Sequence, residues 1–150
     1  MNPLARKIMD NHDMTDIERG AYVALQDFIQ RISDNANWAI VDIILYGSRA
    51  RGDHDAESDV DVAVIVEDDG TDIERMRKIR YELIDHAYET MLALFTKDVL
   101  LRIQPLPIPK EHWDNPSLFQ NPYLIQNIQQ EGISVMSLYK RLSEKEISKH

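Results

Sequence analysis

Gly47-Ser48 is followed, ten residues on, by Asp59-Val60-Asp61. Both ends of that interval carry groups suited to phosphate and metal. A glycine at a bend lets backbone N–H groups come close to an anion, and the adjacent serine adds a small hydroxyl donor. If the bend leads into a helix, the first amides of that helix join the same anion cradle. Arg49 and Arg51 come next in the chain. A guanidinium suits phosphate because it offers two hydrogen bonds in one plane. Of two arginines two apart on a short helix, only one faces the same way as Ser48, and Arg51 is the better choice.

Asp59 and Asp61 stand two residues apart at the start of an apolar run, so on a strand both carboxylates project from one face. Like charges that close raise each other's cost of ionisation. A divalent cation between them removes the cost, and hard oxygen ligands suit Mg²⁺, which prefers a few carboxylates together with substrate phosphates. Phosphate-cradling turn and carboxylate pair thus describe one site, for a nucleoside triphosphate with Mg²⁺. Singly, each piece has a plainer reading: a Gly-Ser turn, a solvated strand edge, a surface arginine. The spacing joins them, with each piece at the end of a strand-like segment.

Those segments must position the site. Trp38 to Tyr46 is rich in β-branched and apolar residues and reads as a strand buried on both faces, as does Asp61 to Val66. Thr71-Asp72-Ile73-Glu74 has the capping-box pattern. It opens a long helix with Ile73, Met76, Ile79, Leu83, Ala87, Met91 and Leu94 on one face. Upstream, Thr15-Asp16-Ile17-Glu18 repeats the pattern before Ile17, Ala21, Leu25, Phe28 and Ile32 at helical spacing, with an end expected near Ser33-Asp34-Asn35. Val99 to Ile103 reads as a third strand. Pro105, Pro107 and Pro109 then limit regular pairing and send the chain to a sheet edge or out of the sheet. Short helices are expected around Glu111 to Trp113 and from Pro122 to Glu131, the second stopping at Gly132. The charged tail from Ser143 to His150 is expected to fray. Strands alternating with helices predict an α/β or α+β fold, a sheet flanked by helices.

Several other residues have a plain structural reading. Arg75, Arg77, Lys78 and Arg80 are the wet face of the long helix, and Tyr81 and Tyr88 pack it. His12, His54, His86, His112 and His150 show no metal-ligand spacing, and His54 is a solvated loop residue. Asp53, Asp55 and Glu57 belong to a solvated turn, one of which could reach metal or acceptor.

The chain has 150 residues and no cysteine, with 26 acidic against 17 basic residues for a net charge of −9. That length suits a single domain over 1–150, with a core of about 15–107 and a C-terminal helical extension over 108–150. The acidic balance argues against a nucleic-acid partner, which phosphate neutralisation would require to be basic. A mononucleotide that arrives with its own cations is not excluded. No segment has a signal-peptide pattern, and no apolar run approaches the ~20 residues of a membrane span, so a cytoplasmic protein without a membrane partner is expected.

The run Gly47-Ser48-Arg-Ala-Arg-Gly followed by Ser58-Asp59-Val-Asp61 and apolar residues resembles the signature of nucleotidyltransferases of the DNA polymerase beta superfold. The compact length is similar to the minimal nucleotidyltransferases of prokaryotes, including the antitoxins paired with HEPN-domain toxins. The motif covers Leu45 to Val66, and the helix-strand order extends the likeness over roughly Asp16 to Pro107. NPYLIQNIQQEGISV near the end is similar too, with less specificity.

The resemblance implies a small mixed sheet and transfer of a nucleotidyl group, most often AMP from ATP, to a hydroxyl acceptor. It assigns Gly47, Ser48, Arg49 and Arg51 to the nucleotide, Asp59 and Asp61 to Mg²⁺ as a two-metal site, and Asp59, Asp61 and Ser48 to catalysis. It implies a HEPN toxin as partner, neutralised by AMP on a tyrosine hydroxyl. Alternatives are an enzyme acting on a small hydroxyl compound such as an aminoglycoside, and an antitoxin that works by binding alone. Many members carry a third carboxylate on the strand after the long helix. Val99 to Ile103 holds none, and Asp98 just before it is a weak candidate.

Overall fold

The computed structural model describes residues 16–97 and 99–136. Thr15, Asp98 and the 143–150 tail lie outside the described residues. Four strands and their helices follow in chain order. Helix α1 spans Asp16–Asn35, strand β1 Ile40–Tyr46, the one-turn helix α2 Ser48–Arg51, and strand β2 Val60–Val66. The long helix α3 runs Ile73–Phe95 and strand β3 Ile103–Pro109. Helix α4 (Lys110–Asp114), a 3-10 turn, helix α5 (Pro122–Glu131) and the two-residue strand β4 (Ile133–Ser134) complete it.

The sheet order is β3-β2-β1-β4. β1 runs antiparallel to β2 and β4, and β2 runs parallel to β3, with α3 as the crossover. The expected mixed sheet flanked by helices is therefore present. Alternation along the strands separates two apolar layers. Ile43, Leu45, Val60, Val62, Val64 and Val66 face α1 and α3, where Leu25, Phe28, Ile79 and Leu83 close the larger core. Ile44, Ala63, Ile65 and Ile108 face the other way, under Ile125 and Ile128 of α5. The α1–α3 contact also has a polar clasp. The buried Thr90 hydroxyl donates to Asp27 at 2.6 Å, and Arg31 bridges Asp27 and Glu89 at 2.6 and 3.1 Å.

Four local expectations need correction. The third strand is Ile103–Pro109, not Val99 to Ile103, and the prolines lie inside it. Val60 N donates to Arg102 O at 2.9 Å, so the even-numbered residues of β3 turn their backbone toward β2. Pro105, Pro107 and Pro109 then all point their missing N–H groups at the sheet's open edge, where nothing needs them. Second, the cap of α3 is Asp72, whose carboxylate accepts from Arg75 N, while the Thr71 hydroxyl is bonded to Asp69. The helix starts one residue later than the box implied, and Ile73 stands 70% exposed. Third, Tyr81 and Tyr88 are 60% and 56% exposed rather than packed, because the buried face of α3 is Ile79, Leu83, Ala87, Thr90 and Leu94. Fourth, β1 is buried on both faces only from Ile43 to Leu45. It begins at Ile40, and a bulge between Ile40 and Asp42 leaves Val41 exposed.

Candidate active site

The apolar layer under α5 stops short of the sheet's end. There the C-terminus of β1 and the N-termini of β2 and β3 meet, with Tyr46, Asp61 and Gln104 as register partners across three strands. Asp59 sits just before β2, on the same side as Asp61 by alternation. Gly47 turns the chain out of β1 with φ 78°. A β-carbon there would lie 2.6 Å from Asp61 Oδ2, so the bend rests directly against that carboxylate. A side chain would be excluded by space and by the left-handed backbone alike. Gly47 O accepts from Ala50 N and Arg51 N at 3.1 and 3.0 Å, which starts α2 at Ser48. The turn and the carboxylate pair thus share one corner of the sheet. Gly47→Ala is expected to cost about 1–3 kcal/mol through backbone strain. Activity should fall by more than that loss explains, because Asp61 must move; chemical denaturation and turnover measured together check it.

The two arginines divide. Arg49 is 1% exposed, and its Nε and Nη2 donate to Ser58 O at 3.0 and 2.8 Å. In this position it holds the 52–59 loop from beneath. Asp55 and Ser58 lock the same loop, with Ser58 Oγ accepting from Asp55 N and Asp55 Oδ1 accepting from Glu57 N. Arg51 is exposed, tied to Asp53 at 3.2 Å and to Glu131 at the end of α5 at 3.1 Å. Its positive charge acts on Asp61 and favours the ionised carboxylate there. His54 is half-buried, not solvated, and its Nδ1 has no hydrogen-bond partner among the described residues.

Burial, then the charge of Asp59, push the Asp61 carboxyl above its ordinary value, and Arg51 opposes them. That is the like-charge cost expected of the pair. Tyr46 is pushed up to about 12, chiefly by burial and secondly by the charge of Asp61. A phenol with a raised folded-state pKa stabilises fully below its unfolded value and loses that contribution as pH rises through the folded one. Stability should therefore decline between pH 10 and about 12. Tyr46→Phe should flatten that part of a melting-temperature profile.

Residues missed by the sequence reading complete the corner. Arg102 Nη2 donates to Asp59 Oδ2 at 3.1 Å. The Gln104 side-chain carbonyl, oriented to satisfy its amide, accepts from Arg102 Nε and Nη2 at 3.0 and 2.9 Å. Both were hidden by the misplaced strand: starting β3 at Ile103 puts Arg102 at its mouth. The exposed Asp59–Arg102 pair is worth about 0–1 kcal/mol, so Asp59 can change partners at little cost. Among the described residues no three His, Cys, Asp or Glu side chains form a metal cluster. Two hard carboxylates on one strand face, mutually repelling, nonetheless fit a divalent cation whose other ligands come from a phosphate substrate. A cleft of about 420 Å³ lined by Met76, Tyr81, Pro107, Pro109 and His112 lies at the other end of β3 and holds none of these groups.

The glycine-serine bend and the paired acids meet at one corner of the sheet, and the nucleotidyltransferase domain family matches residues 25–135, a span that contains them all. The chain belongs to that family. No curated protein and no solved structure matches it. In this nucleotidyltransferase the matched span holds both halves of the corner, from β1 through β4. No described helix is long and apolar enough to cross a membrane.

Proposed function

We propose that this nucleotidyltransferase uses Mg²⁺ to move AMP from ATP to a tyrosine hydroxyl of a partner HEPN-domain toxin, and so neutralises it. The observation that carries the reading is the contact of Gly47 with Asp61, which puts an anion-cradling bend beside a carboxylate pair. In this reading Gly47 and Ser48 hold the triphosphate, Arg51 approaches it from the exposed side, and Asp59 and Asp61 hold the cation. Mg²⁺ bound there supplies charge neutralisation and alignment for an in-line displacement. The acceptor oxygen bonds to the α-phosphorus as the bond to the pyrophosphate oxygen breaks, and pyrophosphate leaves. Gln104 has no proton-accepting carboxylate to offer, and the Tyr46 phenol is kept neutral by its raised pKa. The acceptor's proton therefore passes to solvent or to a group of the partner.

A macromolecular acceptor suits the openness of this corner. Among the described residues α4, α5 and the turns between them cover that face of the sheet, and these short elements do not enclose a small acceptor such as an aminoglycoside. A partner that brings its own hydroxyl needs no such pocket. The test is incubation of the chain with the HEPN protein, ATP and Mg²⁺, followed by intact mass of the partner. A gain of one or more AMP units is expected, and an unchanged mass overturns the reading. Gln104 standing opposite Asp61 favours a second reading, an antitoxin that works by binding. Full neutralisation by a chain lacking both aspartates would establish it.

A further inference from the structure

Asp59 has a cationic partner within the fold. Its Oδ2 accepts from Arg102 Nη2 at 3.1 Å. The backbone fixes where that guanidinium starts from. Arg102 O accepts from Val60 N at 2.9 Å, next to Asp59, and β3 begins one residue later. Gln104 fixes where the side chain ends. Its carbonyl accepts from Arg102 Nε and Nη2 at 3.0 and 2.9 Å, and Gln104 is the register partner of Asp61. Residues 102 and 104 share one face by strand alternation. The guanidinium is thus tethered to the third strand at the level of the acid pair. The cation acting on Asp61 is Arg51; the cation bonded to Asp59 is Arg102.

That tether sets up a competition. A guanidinium on Oδ2 takes one oxygen of the carboxylate that a divalent cation would use, and it places a like charge beside the other. The pair is exposed and therefore weak, so a stronger cation can displace it. A triphosphate tips the balance further. The Gln104 tether does not pass through Asp59, so a guanidinium released from that carboxylate stays at the corner. Phosphate oxygens then offer it the bidentate partner that a single carboxylate oxygen at 3.1 Å does not. Release of Asp59 to a cation and capture of Arg102 by phosphate each favour the other.

We propose that Arg102 competes with a divalent cation for Asp59 and yields that carboxylate when a triphosphate takes the guanidinium, so that cation and nucleotide bind the corner as a unit. The inference rests on the reading of the corner as a cation-assisted triphosphate site. Mn²⁺ added to the chain alone is the first probe, read by the paramagnetic resonance of the free ion. Calorimetric titration with Mg²⁺ and ATP is the second. Arg102→Gln should bind Mn²⁺ alone about three- to fivefold more tightly, the weight of an exposed ion pair. It should bind ATP with Mg²⁺ about tenfold more weakly, the weight of a charge-assisted hydrogen bond. Its circular dichroism spectrum should be unchanged, since the side chain is exposed. Loss of one positive charge would move both affinities the same way, so Gln104→Leu decides. That variant keeps every charge and removes only the tether, and a guanidinium free to rotate spends less time on Asp59. Mn²⁺ alone should bind it about twofold more tightly, and ATP with Mg²⁺ more weakly. An Arg102→Gln chain with the wild-type affinity for Mn²⁺ overturns the inference. So does a Gln104→Leu chain that matches the wild type in both titrations. If neither the wild type nor Arg102→Gln binds ATP with Mg²⁺, the reading of the corner falls, and the inference with it.

Discussion

Asp59→Ala combined with Asp61→Ala is expected to reduce nucleotidyl transfer by on the order of 10³-fold or more, while the chain stays folded. The rate effect follows from what the corner contains. Transfer at phosphorus depends on charge stabilisation and positioning more than on covalent help, and removing one preorganised electrostatic contact costs about 10²–10³-fold. Here both acids go, and no third carboxylate is present to compensate among the described residues. Stability moves the other way. Burial and then the charge of Asp59 work against the ionised form of Asp61, so its folded-state pKa is raised. A raised value means that folding is favoured when the group is protonated and penalised as pH rises through it. At neutral pH the wild type carries that penalty and the variant does not. Loss of the exposed Asp59–Arg102 pair subtracts only about 0–1 kcal/mol. The melting temperature of the variant should equal or exceed that of the wild type at pH 7, and any advantage should shrink in acid as the wild-type carboxyl takes up its proton. Calorimetric melts at two pH values beside a turnover assay check both halves. A variant that unfolds would place the two acids in the fold's support, not in its chemistry.

Arg49→Met should act through the fold first. The side chain is buried, and its guanidinium satisfies the Ser58 carbonyl with two donors. Methionine can fill part of the volume but donates nothing, which strands a buried acceptor. Hydrogen bonds from a charged donor are worth about 1.5–3 kcal/mol, and an unsatisfied buried carbonyl costs about 1–3 kcal/mol. A loss of roughly 2–4 kcal/mol is expected, within the range set by those terms. Because Ser58 immediately precedes Asp59, the slackened loop also misplaces a carboxylate. Activity should therefore fall at temperatures where the variant is still folded. Arg51→Met is the contrast: its ion pairs to Asp53 and Glu131 are exposed. Stability should change by less than ~1 kcal/mol, with the effect confined to nucleotide affinity. Urea denaturation of the two variants, with substrate dependence measured alongside, separates the roles.

The meeting of the glycine bend with the acid pair was legible because its logic is local. A glycine that must admit a neighbour, and two acids at strand spacing, announce themselves in a short stretch of sequence. The mixed sheet and its helices were legible from period as well. Arg49 was not, because residue type and spacing say that only one of two arginines can face the site, while burial decides what the other does. The β3 register was hidden by three prolines that read as breakers. Their alternation is harmless on a strand whose odd-numbered backbone faces the free edge, and edge position belongs to the assembled sheet. Arg102 and Gln104 were lost with it. Tyr81 and Tyr88 look like packing residues at helical spacing. Only the placement of α1 and β2 on the Ile79–Leu83 side shows that they face away.

The central claim is that Gly47-Ser48 and the Asp59/Asp61 pair form one cation-assisted triphosphate site. Its most direct test is calorimetric titration of ATP into the intact chain, with and without Mg²⁺, for the wild type and for the variant lacking both aspartates. The account predicts saturable binding by the wild type that requires Mg²⁺ and disappears in the variant. Absence of Mg²⁺-dependent binding by the folded wild type, or equal affinity in the variant, would contradict it.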